Sequence, residues 1–168
     1  MLPDPLHPAV VHFPIVFMAV LPLVAAGALW AIRRGAAPAR AWAVPVALSI
    51  LLTLSAWAAL QTGEAQEDRA EDLVGEQVLQ RHEEAAERFL LLSGIVLAIG
   101  AAGLLRGPAG RAARAVATVA AAGLLVAGYQ VGHSGGAVAY GDGASAAVSQ
   151  LSAGAQRDAR PGPEADDD

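Results

Sequence analysis

Four stretches of the chain, residues 13–32, 41–60, 89–105 and 115–131, contain no charged side chain. A charge at the centre of a bilayer costs about 2.5–3.5 kcal/mol on insertion scales. Uninterrupted apolar stretches of this length are what that penalty leaves behind. A helix rises about 1.5 Å per residue and has about 30 Å of hydrocarbon to cross. The first two stretches are long enough alone. The last two are shorter and alanine-rich, so each is expected to borrow a flanking turn. None shows the polar face that a helix in a soluble bundle would carry. The composition agrees: 55% of the residues are hydrophobic and mean hydropathy is +0.44. The expected fold class is all-α, a bundle of four transmembrane helices.

Charge placement predicts the direction of each span. Arg33, Arg34 and Arg40 separate the first two spans, and Arg106, Arg111 and Arg114 separate the last two. Short arginine-rich connections stay in the cytoplasm. The middle connection, residues 61–88, holds nine acids against three arginines and belongs outside. Both termini are therefore expected outside as well. The first span lacks a basic segment ahead of it, so it reads as retained rather than as a cleaved leader.

Composition also excludes classes of function. With no cysteine there is no disulfide, no thiolate metal site and no covalent c-type heme. All eleven basic residues are arginine, and a net charge of −5 gives no reason to expect nucleic-acid binding. No Walker loop is present, and Ser134 lies beside His133 without a nucleophile elbow.

Residues 72–88 read as an amphipathic helix on the outer face, running into the third span. Val74, Val78, His82, Ala86 and Phe89 recur at steps of four and three and share one face. Glu71, Glu76, Glu83, Glu84 and Glu87 largely avoid that face. Beyond the fourth span comes Gly132-His133-Ser134-Gly135-Gly136, where Gly132 is expected to cap the helix. Residues 138–143 are expected to form a short strand or a re-entrant turn. The membrane domain is expected over residues 1–145. A polar, disordered tail is expected over 146–168, where proline, glycine and acids dominate. Gly94, Gly100, Gly103, Gly123 and Gly128 are expected to let helices approach closely. Pro22 and Pro45 are expected to kink their spans.

All four histidines fall at the outer boundary under this topology. His7 and His12 precede or open the first span, His82 precedes the third and His133 follows the fourth. Imidazole is the usual axial ligand of b-type heme, and it also ligates zinc, copper and iron. His12 and His82 are the leading cofactor candidates, with His133 and His7 behind them. Heme b is the first choice, serving electron transfer with a quinol or an outer-face cytochrome. A bare Zn, Cu or Fe ion is the alternative, with Glu83, Glu87 or Asp142 assisting. His7 and His12 would diverge by about 140° on one helix, so any site must draw on several helices. The other reading is an accessory subunit whose histidines only make hydrogen bonds. In that reading the acidic loop is a solvated face, and Trp30, Trp42 and Trp57 are interfacial or packing aromatics.

The opening His7-Pro8-Ala9-Val10-Val11-His12-Phe13-Pro14-Ile15 resembles that of the bacterial membrane family called domain of unknown function 2231. Thr62-Gly63, His82, and Gly132-His133-Ser134-Gly135-Gly136 with Tyr140 and Gly143 follow in that family's order. The likeness covers roughly residues 5 to 145 and implies a four-helix domain of the bacterial inner membrane. In some relatives this domain accompanies cytochrome-like modules, which implies redox work. Many members carry histidine where Asp142 stands here, so a heme ligand at that position would be missing.

Overall fold

Each apolar stretch becomes a helix because a backbone in hydrocarbon must satisfy its own polar groups. The computed structural model describes residues 7–64 and 76–140, with side chains described over 9–64 and 76–136. A single turn, α1 (His7–Val10), precedes α2 (His12–Arg33), α3 (Pro38–Glu64), α4 (Glu76–Ala102) and α5 (Gly107–Tyr140). The last four are each long and apolar enough to cross a membrane. At 22 to 34 residues they span about 33 to 51 Å. The chain is an all-α four-helix bundle.

Helices adjacent in sequence pack together, and α5 closes the ring against α2. Every pairing is antiparallel. Trp42 near the start of α3 meets Gly100 at the end of α4, and Met18 early in α2 lies beside Gly128 late in α5. The turns 34–37 and 103–106 thus share one end of the bundle, hereafter the arginine end. The start of α2, the start of α4 and the close of α5 share the other, the histidine end.

Two apolar clusters fill the interior. Toward the histidine end, Leu21, Leu52, Phe89, Val96 and Leu124 pack with Phe17, Met18 and Val131. Toward the arginine end the core is Ala25, Ala28, Trp42, Val46 and Ala117. The outside is equally apolar: Leu23 is 73% exposed, Val119 74% and Leu91 65%. Such a surface has no place in water, whereas lipid accommodates it without cost. The buried hydroxyls of Ser49 and Ser93 return to carbonyls of their own helices, Pro45 at 2.9 Å and Leu90 at 2.8 Å.

Several expectations are corrected. α5 does not end at Gly132: it runs on through Gly136 to Tyr140. Glycine ends a helix when it takes positive φ, and among the described residues only Gly35 and Gly107 do. Residues 138–140, expected in a strand or re-entrant turn, are helical for the same reason. The third span closes at Ala102 rather than at 105, while the fourth helix, opening at Gly107, takes in the flanking residues expected of it. Arg114 is inside α5 and 5% exposed, not out in a loop. Of the five glycines expected at close approaches, Gly103 and Gly128 are at them: an added Cβ would run into Trp42 and Met18 respectively. At Gly94, Gly100 and Gly123 it would meet nothing within 4 Å. Pro22 and Pro45 lie inside α2 and α3, within the spans as expected. Val74, residues 72–75, 141–143 and the tail 146–168 lie outside the described residues.

Candidate functional site

The histidine end is built by three helices. The amphipathic segment expected ahead of the third span is continuous with it, so α4 carries His82 and Phe89 on one unbroken rod. Phe89 is buried in the core, and Val78, His82 and Ala86 on its stripe are half-buried. Glu76, Glu84 and Glu87 face outward, and Glu84 pairs with Arg88 at 3.1 Å on the exposed side. Glu83 is half-buried.

His82 is held against α5. Its Nδ1 stands 3.1 Å from Ser134 Oγ, and Ser134 Oγ lies 3.0 Å from the carbonyl of Val131. A hydroxyl has one proton to give. In the tautomer protonated on Nδ1, His82 donates to Ser134 while Ser134 donates to Val131, and the lone pair is on Nε2, the nitrogen a metal centre takes when the other is anchored by a hydrogen bond. Gly135 lets the ring come this close: a Cβ there would sit 3.1 Å from His82 Cε1. Ser134 and Gly135 together therefore seat the His82 ring against α5.

The other candidates are arranged differently. His133 is exposed on α5 and stacks on Tyr129, ring centroids 5.9 Å apart and planes 14° from parallel. It faces away from His82. His12 is the first residue of α2 and is exposed. His7 opens α1, and its side chain lies outside the described residues, as does Asp142. Thr62 hydrogen-bonds back to the carbonyls of Ala58 and Ala59, both at 3.0 Å. Among the described residues, no three His, Cys, Asp or Glu side chains come together as a metal site.

Sequence reasoning missed Ser134 as the partner of His82 and Gly135 as its seat. The signal was available in a serine between glycines on the helix next to α4. Reading Gly132 as a terminator placed that serine beyond the helix and hid it. No protein-family model, no curated protein and no solved structure matches the chain. The likeness of residues 7–15 and 132–136 to the domain of unknown function 2231 rests on those motif residues alone.

Proposed function

We propose that this protein is a membrane electron-transfer module that binds heme b at the histidine end, with His82 as primary axial ligand. The observation that carries the reading is the hydrogen bond between His82 Nδ1 and Ser134 Oγ. It orients the ring as anchoring bonds to ligating histidines do. Heme supplies one-electron chemistry and needs one or two axial imidazoles, whereas a structural zinc needs four ligands. His12 opens α2, diagonally across the ring from α4, and is the candidate second ligand. His133 would act toward the surroundings of the bundle and not on the same ring. The motif likeness adds an outer-face cytochrome or a quinol as the electron partner. The arginine-rich turns support an inner-membrane orientation with this end, and both termini, outside the cytoplasm.

The competing reading is an accessory membrane subunit in which the same His82–Ser134 bond only locks α4 to α5. Such bonds stabilise membrane helix pairs. The visible spectrum of the protein purified in mild detergent separates the two. The heme reading expects a Soret band, a sharp α band on reduction and loss of both in His82→Ala. A colourless, metal-free protein leaves the accessory reading. Stoichiometric metal without a Soret band would revive the bare-ion site with Glu83 or Glu87.

A further inference from the structure

The opposite end of the bundle carries a separate feature. Arg33, Arg34, Arg40, Arg106 and Arg111 are all exposed, and the two short turns bring them to one end. No acid occurs between Asp4 and Glu64 or between Glu87 and Asp142, so among the described residues this end carries no acidic side chain. Glu84 pairs with Arg88 at the other end of the bundle.

The helix termini lean the same way. The carbonyl ends of α2 and α4 are satisfied from within. Arg34, Gly35 and Ala36 amides close α2 at 3.0–3.1 Å, Trp42 Nε1 takes Gly100 O at 2.8 Å, and Arg114 takes Gly103 O. The amide ends of α3 and α5 have no acidic residue in their first turns. The negative helix poles are covered while the positive ones add to the arginines. Trp30, 61% exposed, lies beside them with the Arg34 guanidinium 5.1 Å from its ring centroid. An exposed tryptophan under a guanidinium is the arrangement found at a headgroup boundary.

We infer that the arginine end is a docking surface for the phosphate headgroups of anionic phospholipids. Charge complementarity selects the occupant: a row of uncompensated guanidiniums level with the membrane surface meets phosphates there, and arginine pairs with phosphate bidentately. The inference depends on the four helices crossing a bilayer and is independent of any cofactor at the histidine end.

Trp30 reports on it directly. The full chain carrying Trp57→Phe is reconstituted in vesicles containing either dibrominated phosphatidylglycerol or dibrominated phosphatidylcholine at equal mole fraction. Trp42, 1% exposed, is shielded from lipid. The brominated anionic lipid is expected to quench Trp30 more strongly, with about a fivefold local preference per arginine engaged, shrinking as salt rises. Replacing all five exposed arginines, Arg33, Arg34, Arg40, Arg106 and Arg111, with Gln should bring the two lipids to parity, and the corresponding five-lysine variant should keep the preference. Equal quenching of the parent protein by both lipids overturns the inference without any arginine variant. So does a preference that survives the five glutamine substitutions.

Discussion

The two ends of this bundle solve the same problem in opposite ways. At the arginine end the helices stop, and their freed carbonyls are taken by side chains from neighbouring helices: Trp42 from α3 and Arg114 from α5 both bond to the close of α4. Small residues make that possible, since Ala25, Ala28, Ala117 and Gly103 let backbones approach around a single large ring. At the histidine end α4 and α5 extend beyond the apolar core, α4 from Glu76 and α5 to Tyr140. The core there is filled by Phe17, Met18, Phe89 and Leu124, and the polar lock is one imidazole on one hydroxyl. The first end is held by caps between helices. The second holds a side chain whose chemistry extends beyond packing.

That contrast sets an order of sensitivity. Trp42→Ala removes a buried ring and the donor to Gly100. It should cost about 3–5 kcal/mol, read from reversible unfolding in mixed micelles. Arg114→Met strips the donor from the Gly103 carbonyl in a buried turn and should cost about 1–3 kcal/mol by the same measurement. Ser134→Ala should cost only about 0.6 kcal/mol of stability, the typical value of one hydrogen bond between membrane helices. Its larger effect belongs to function: any metal centre on His82 should bind about 10- to 100-fold more weakly, read by titration of the absorbance band. A Ser134→Ala protein as unstable as Trp42→Ala would break the comparison and make the histidine end structural. Unchanged cofactor affinity in that variant would separate Ser134 from ligand positioning.

Much of the architecture was legible in the residues. Charge-free runs marked the four helices, and the stripe Val78, His82, Ala86, Phe89 pointed inward as its spacing required. The gathering of His12, His82 and His133 at one end followed from the antiparallel order. Gly132 misled because glycine signals a helix end only where the chain must turn. Here α5 continues against α4, and it is Gly135, three residues on, that gives His82 room. His133 looked equivalent to His82 along the chain, yet their side chains lie on different sides of α5. A shift of a few residues around a helix turns a side chain from its neighbour to the lipid, and spacing to a residue on another helix cannot reveal that.

By itself the sequence determined how many helices form, which segments are apolar enough for lipid, and which residues share an end. These follow from the cost of charge in hydrocarbon and the fixed rise of a helix, both local quantities. Tertiary structure alone decided that Trp42 and Arg114 are buried caps, that Ser134 receives His82, and that His133 faces outward. Those depend on the rotation of each helix against its neighbours, which packing between distant segments sets.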